Sequence, residues 1–91
     1  MFVIVCYDIV ENRRRTRVMK TLKGLGFHVQ KSVFECYLDE KKLGYLEQKM
    51  RRLIDEQEDS VRIYTLPESM VEQMRVVGIG KINKLKKLIL I

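Results

Sequence analysis

The N-terminal stretch MFVIVCYDIVENRRRTR, residues 1–17, joins an apolar run to a single aspartate and a block of arginines. Its first eight residues, which end at Asp8, are rich in β-branched and aromatic side chains and predict a β-strand. The strand is apolar at both alternating sets of positions, with Phe2, Ile4 and Cys6 on one face and Val3, Val5 and Tyr7 on the other. Because both faces are apolar, we expect both to be covered, as they are in a central strand of a sheet.

An amphipathic helix follows this strand. Asn12 is a suitable N-cap, and Val18, Leu22 and Leu25 recur at the spacing of one helix face. Two glycines close behind Lys23 end the helix. Next come an extended segment from Phe27 to Asp39, with a bend or bulge near 30–32, and a second helix that ends in the acidic DEQED. The apolar residues of this helix are Leu43, Leu46, Met50, Leu53 and Ile54. A strand from Ser60 to Leu66 and a short strand from Val76 to Gly80 follow. The last eleven residues fit either a helical turn or an added strand.

This order of elements is the split βαβ pattern of a ferredoxin-like α+β sandwich. We expect one domain over residues 1–91, with the βαββαβ core and an additional short C-terminal strand. Two helices cover only one face of such a sheet, yet the first strand needs a cover on both. A second copy of the chain supplies that cover, so we predict a homodimer with apposed sheets.

Composition and charge favour an intracellular protein that meets polyanions. No apolar run approaches the roughly 20 residues of a membrane span and no leader is recognisable, so we expect a soluble cytoplasmic protein. Cys6 and Cys36 lack metal-binding spacing, which favours buried free thiols over a disulfide or a zinc site. The net charge of +6 suits a nucleic-acid partner or merely a soluble surface. A late basic cluster suited to phosphate-backbone contact consists of Lys81, Lys84, Lys86 and Lys87.

Asp8 and the arginines each admit two interpretations. An aspartate at a strand end commonly bonds nearby backbone amides, but its carboxylate is also the hard oxygen donor that Mg²⁺ and Mn²⁺ prefer. A second subunit would bring a second Asp8 and complete a site for a hydrated ion against a phosphodiester. Arg14 and Arg15 lie near the edges of the buried helix stripe, within reach of the strand end, whereas Arg13 and Arg17 point toward solvent. A solvated helix face is the alternative, which we prefer for Arg13.

Three further positions carry weaker signals. His28, the only histidine, has no partner at a recognisable spacing, which favours an ordinary strand histidine over a general base. Ser32 has no neighbouring base and is not predicted to be a nucleophile. Phe34 and Tyr37 are expected in the core or the dimer interface rather than as base-stacking residues.

Three motifs, in this order, resemble the CRISPR-associated protein 2 family: YDI at the first strand's end, RRRTRVMKTLKGLG in the helix, and VQKSVFE in the next strand. The resemblance implies a ferredoxin-like homodimer in which Asp8 and its mate meet across the interface and bind a divalent cation, usually Mg²⁺. It implies a metal-dependent endonuclease that cuts single-stranded RNA or double-stranded DNA. It also implies a part in spacer acquisition, where the dimer bridges two dimers of the partner integrase. Residues 76–91 would then hold a strand that pairs with the other subunit's sheet, followed by a tail.

Carried over position by position, the resemblance makes Asp8 the catalytic and metal-binding residue. The nucleic-acid-binding positions are Arg14, Arg15 and Arg17, and the supporting positions are Tyr7, Gln30, Ser32 and Phe34. Many relatives carry an arginine where this chain has His28, which leaves phosphate contacts to the helix arginines. Two hypotheses follow: a Mg²⁺-dependent phosphodiesterase, and a noncatalytic DNA-binding scaffold that recruits the integrase. An RNA-recognition module is disfavoured because the chain lacks that module's glycine-aromatic signature strand.

Overall fold

The structure, a computed structural model, describes residues 1–80 and has the predicted ferredoxin-like arrangement. Its elements are β1 (Phe2–Asp8), α1 (Asn12–Lys23), β2 (Gly26–Gln30), β3 (Val33–Tyr37), α2 (Glu40–Leu53), β4 (Ser60–Leu66) and α3 (Glu68–Val71). The strands form one antiparallel sheet in the order β2-β3-β1-β4, so β1 is a central strand, as its two apolar faces predict. Within residues 1–80, the structure has no helix of the length and apolarity that crossing a membrane requires.

The core lies between one face of the sheet and the helices α1 and α2. Its buried cluster contains Val3, Val5 and Tyr7 from β1, Phe34 and Cys36 from β3, Val18 and Leu22 from α1, and Leu46 and Met50 from α2. Both predicted helix stripes are therefore confirmed. Burial of each large apolar side chain stabilises the fold by about 1.5–3 kcal/mol, which makes this layer the main source of stability.

Element ends differ from the predictions in three places. The N-cap of α1 is Glu11, whose side chain accepts a hydrogen bond from the backbone N–H of Arg14. The helix α2 ends at Leu53, so DEQED forms the loop that follows it rather than the last turn. The extended segment divides into β2 and β3 at a two-residue turn in which Ser32 has a φ of 65°, and the predicted bulge appears as a register shift between His28 and Gln30.

Residues 76–80 form no strand in the single chain, although the sequence predicts one from Val76 to Gly80. A strand needs a neighbour for its backbone hydrogen bonds, and the predicted neighbour belongs to a second subunit. The side chains of Val77 and Ile79 are fully exposed. The sequence also gave no indication of the short helix α3, which follows Pro67 and buries Val71. The predictions for the late lysine cluster and for residues 81–91 lie outside the described residues.

Candidate functional site at the end of strand β1

Asp8 lies on the face of the sheet that α1 and α2 leave uncovered, which we call the open face. The alternation along β1 puts Asp8 on the same side as Ile4 and Cys6, which are half-buried, and opposite to the core residues. Asp8 itself is exposed and pairs in register with Ser60 of β4. Within residues 1–80 no hydrogen bond or ion pair engages its carboxylate. The open face therefore presents one free acid at the edge of an apolar strip.

The turn interpretation of Asp8 fails because another carboxylate bonds the loop amide. Oδ1 of Asp59 accepts a 2.9 Å hydrogen bond from the backbone N–H of Val10, two residues beyond Asp8. Oδ2 of Asp59 accepts a 2.9 Å bond from the backbone N–H of Asp55. Asp59 thus ties the β1–α1 loop to the α2–β4 loop, and Asp8 is left free for another role.

Arg14 is the charged partner of Asp59. Its Nε lies 2.8 Å from Oδ2 of Asp59, whose side chain is fully buried, and its Nη2 lies 2.7 Å from Oε2 of Glu58. The hydrogen bond from Arg14, helped by the amides of Val10 and Asp55, lowers the pKa of Asp59 to about 2. The same two carboxylates raise the pKa of Arg14. A guanidinium held by two acids has little capacity left for a phosphate, so the predicted nucleic-acid role of Arg14 finds no support in this geometry.

Arg15 binds backbone carbonyls rather than facing solvent. Its Nη2 donates to the carbonyl oxygens of Ile9 at 2.8 Å and Val10 at 3.2 Å, and its Nε donates to Ile9 at 3.2 Å. Its Nη1 donates to the side-chain oxygen of Asn12. The sequence places Arg14 or Arg15 within reach of the end of the first strand; in the structure, Arg15 contacts the backbone of the loop that follows this strand.

Arg13 and Arg17 are exposed, and neither takes part in an ion pair within residues 1–80. They are four residues apart and share one side of α1 with Lys20, which is also exposed. The sequence interpretation assigned Arg13 to bulk solvent and gave the contacts to Arg14, Arg15 and Arg17. In the structure, Arg13 is as free as Arg17.

The β2–β3 turn lies beside the end of β1. The backbone N–H of Tyr7 donates a 3.1 Å hydrogen bond to the carbonyl of Ser32, which fixes this turn next to Asp8. Gln30 is exposed at the end of β2, at the same end of the sheet as Asp8. Phe34 is fully buried, as predicted, and its ring stacks on that of His28 with centroids 4.5 Å apart. His28 is exposed, and its ring covers Phe34 on the core side of the sheet, the face opposite to that of Asp8.

The donor set at Asp8 fits a shared metal site and not a site within one subunit. Residues 1–80 hold no group of three or more His, Cys, Asp or Glu side chains that could bind a metal ion. One free carboxylate holds a hydrated Mg²⁺ weakly, because the ion keeps most of its waters. Two such carboxylates, one from each subunit of the predicted dimer with apposed open faces, would provide the hard oxygen donors that this ion prefers.

Asp59 is the residue that sequence reasoning missed. It is the only charged residue that is buried among residues 1–80, and it stands directly before β4 at the end of DEQED. The sequence shows an acid directly before a strand and, far from it along the chain, a block of arginines without an assigned acidic partner. A buried acid requires a paired cation, but the sequence shows neither that this acid is buried nor which arginine is its partner.

The fold and site define a class: small ferredoxin-like proteins with an exposed aspartate at the end of the first strand and an arginine-rich first helix. The chain belongs to the family described as CRISPR associated protein Cas2, whose profile matches residues 1–74. It is 45% identical to a Cas2 endoribonuclease of Chloroflexus aurantiacus over 80 residues, covering 88% of this chain and 86% of that protein. It is 42% identical to a Cas2 endonuclease of Thermus thermophilus over 83 residues, covering 91% and 88%.

Solved structures agree with this assignment. A crystal structure of a hypothetical protein from Thermus thermophilus matches with a TM-score of 0.79 and 42% identity, over 88% of this chain and 93% of that one. The crystal structure of Streptococcus pyogenes Cas2 at pH 6.5 matches with a TM-score of 0.76 and 30% identity, over 86% and 100%. The fold and the family inferred from the motifs are thus confirmed.

Proposed function

We propose that this protein is a divalent-metal-dependent endonuclease of the CRISPR adaptation module, active as a homodimer on single-stranded RNA, double-stranded DNA or both. The observation that carries the proposal is the position of Asp8: an exposed carboxylate, engaged by no other residue in 1–80, at the tip of a rigid central strand. Relatives named as an endoribonuclease and an endonuclease support hydrolysis of phosphodiesters. The net charge of +6 supports a nucleic-acid substrate.

Each residue at the site has a distinct task in this proposal. Asp8 from both subunits would hold the ion, which is Mg²⁺ or the chemically similar Mn²⁺. When bound, such an ion activates a water molecule and offsets charge on the phosphate. Arg15 and the Asp59–Arg14 pair keep the loop behind Asp8 in place. The turn at Ser32 holds β3 against the end of β1 through the amide of Tyr7.

A noncatalytic scaffold is the second candidate. It is favoured by the single carboxylate that each subunit offers and by the exposed cations of α1, which need no metal to bind a phosphate backbone. In this role the dimer would carry DNA in the cytoplasm and recruit the adaptation integrase. Both candidates use the same surface, so the deciding measurement is hydrolysis.

Substitution of the proposed metal ligand tests the first candidate. Wild type and Asp8→Asn are assayed on end-labelled single-stranded RNA and duplex DNA, with Mg²⁺ and with EDTA. Cutting by wild type should require Mg²⁺ and fall by at least about a hundredfold in Asp8→Asn, because even outer-shell partners of metal ligands contribute about 10- to 100-fold. Nucleic-acid binding in EDTA should persist in the variant.

Glu40→Gln is the matched control, because Glu40 is an exposed acid at the first turn of α2, at the opposite end of the sheet. It should cut like wild type. Equal cutting by Asp8→Asn would show that Asp8 is not the metal ligand. Binding without cutting by wild type at any divalent ion concentration would favour the scaffold.

A further inference from the structure

We propose that the arginine block of α1 divides by task, with an inner pair, Arg14 and Arg15, that positions the loop behind Asp8, and an outer row, Arg13, Arg17 and Lys20, that contacts the nucleic acid. This inference rests on the proposed nucleic-acid function and specifies which side chains perform it. It reverses the assignment that the sequence favours for three of the arginines, Arg13, Arg14 and Arg15, and keeps that of Arg17. It also predicts that arginines next to each other in the chain respond differently to the same substitution.

The inner pair encloses the loop between β1 and α1 from two sides. Arg15 donates to the carbonyls of Ile9 and Val10, while the amide of Val10 is bound by the Asp59 carboxylate that Arg14 holds. Both polar groups of Val10 are therefore satisfied through this pair, and Ile9 is buried in the core. These contacts hold the loop in one position. Asp8 is held with it, because Asp8 immediately precedes the loop.

Neither inner guanidinium is available to a phosphate without breaking these contacts. Arg14 has donors directed at Asp59 and Glu58, and Arg15 has donors directed at two carbonyls and the side chain of Asn12. A phosphate that recruited Arg15 would leave the carbonyl of Ile9 without its donor in a part-buried position. The geometry therefore makes the inner pair positioning residues.

The outer row has the opposite character. Arg13, Arg17 and Lys20 lie at positions i, i+4 and i+7 of α1, all three are exposed, and none forms an ion pair within residues 1–80. The helix contains no acid that could neutralise them, since its sequence is NRRRTRVMKTLK. At about 1.5 Å per residue the row is about 10 Å long. That length matches about three phosphate-to-phosphate steps, hence about four successive phosphates, on one strand at about 3.4 Å per step along the axis of a duplex.

Paired lysine and glutamine substitutions at neighbouring arginines separate the two tasks. Arg13→Gln, Arg13→Lys, Arg15→Gln and Arg15→Lys are compared with wild type for affinity to labelled single-stranded RNA and duplex DNA, titrated with salt in EDTA so that no cutting occurs. Thermal melting is measured on the same samples. Lysine keeps the charge but loses the planar fork that reaches two carbonyls at once.

At Arg13, charge should decide the result. Arg13→Gln should reduce the slope of log affinity against log salt by about 0.9 on duplex DNA or about 0.7 on a single strand per lost contact, and Arg13→Lys should restore it. Adding Arg17→Gln and Lys20→Gln should reduce the slope further. The melting temperature should stay at the wild-type value in all of these variants.

At Arg15, shape should decide the result. Arg15→Gln and Arg15→Lys should both lower the melting temperature and leave the salt slope unchanged. With Mg²⁺, Arg15→Lys should lower kcat at saturating substrate more than it raises KM, since the acid is displaced and the binding row is not. If Arg15→Gln fails to fold, that result supports the place of Arg15 in the inner pair. The slope of log affinity against log salt is then measured on Arg15→Lys alone.

A reduced slope in Arg15→Gln that Arg15→Lys restores would make Arg15 a phosphate contact and overturn the inference. An unchanged slope in the triple outer-row variant would do the same. If wild type itself binds no nucleic acid at low salt, the proposed function fails and this inference with it. The two failures are therefore distinguishable.

Discussion

The buried charge of Asp59 is stable only because three residues donate hydrogen bonds to it. Arg14 and the amides of Val10 and Asp55 all bond its two oxygens, and a buried carboxylate without such partners would carry a large desolvation cost. The same bonds make folding depend on the ionisation of this one side chain. Asp8, by contrast, is exposed and has no such structural task.

Asp59→Asn should lower stability at neutral pH and remove one component of the acid sensitivity. The pKa of Asp59 is about 2 in the folded protein against an ordinary value of 3.8. A depressed folded pKa contributes stability that is present above the unfolded value and is lost as the pH falls from about 4 toward 2. Urea midpoints measured from pH 6 to pH 2 check this.

The control for that series is Glu58→Gln, because Glu58 also pairs with Arg14 but is half-exposed. Exposed ion pairs contribute little, so its midpoints should lie close to those of wild type. The interpretation would be wrong if Asp59→Asn lost stability between pH 4 and pH 2 as steeply as wild type does.

Contact between neighbouring strands fixes the identity of one glycine. A Cβ built at Gly26, the first residue of β2, would lie 2.4 Å from the carbonyl oxygen of Glu35 and 2.5 Å from Sγ of Cys36. The first of these atoms belongs to the backbone of β3 and cannot rotate away. The pairing of β2 with β3 therefore requires glycine at this position.

Gly26→Ala should destabilise the fold by about 1–3 kcal/mol, the usual cost of overpacking, because β2 must move away from β3. Gly44→Ala provides a matched control of opposite sign. Gly44 lies inside α2 with no atom within 4 Å of an added Cβ, and alanine is favoured over glycine in a helix by about 0.8–1 kcal/mol. Urea unfolding of both variants measures the difference. Equal free energies of unfolding for Gly26→Ala and wild type would contradict the packing argument.

Elements whose pattern depends on the chain's own core were predictable, and the others were not. The core face of β1, the apolar alternation of β4 and the stripe through Val18 and Leu22 follow from burial against this chain's own residues. The short helix α3 has only four residues, too few for a periodicity to show. The segment 76–80 has strand-like residues, but a single chain offers it no strand partner. It is therefore irregular despite its local preference.

The sequence predicted the exposed acid of the candidate site but not the hydrogen bonds that hold the loop behind it. Asp8 stood out because an acid interrupts an apolar run, which sequence displays directly. The partners of Arg14 and Arg15 are set by three-dimensional proximity: Asp59 lies 45 positions from Arg14 along the chain. No helical or strand spacing encodes such a pair, so sequence reasoning assigned both arginines to the ligand.

The open face is the surface through which we expect the molecule as a whole to assemble. A groove of about 630 Å³ crosses it, lined by Ile4 and Val33 on the sheet and by Val76 and Ile79 from the segment after α3. Tyr64 and Phe27 add exposed aromatic area on the same side of the sheet. A second copy that covers this face would bury these apolar side chains and would bring Asp8 near its mate.

Dimerisation through the open face makes Cys6 a reporter, since Cys6 lies between Ile4 and Asp8 on that face and is half-buried in the single chain. We expect wild type to sediment as a dimer at micromolar concentration and its Cys6 to react slowly with iodoacetamide. Ile4→Glu places a second acid opposite Glu35 in the β1–β3 register and should yield a monomer with fast-reacting Cys6.

Cys36 is an internal standard: burial raises the pKa of its thiol to about 11, so it should stay unlabelled in every folded variant. Tyr45→Glu, on the exposed side of α2, should remain a dimer. A monomeric wild type with rapidly labelled Cys6 would contradict the shared site, because one subunit then holds one Asp8 and no second carboxylate for the ion.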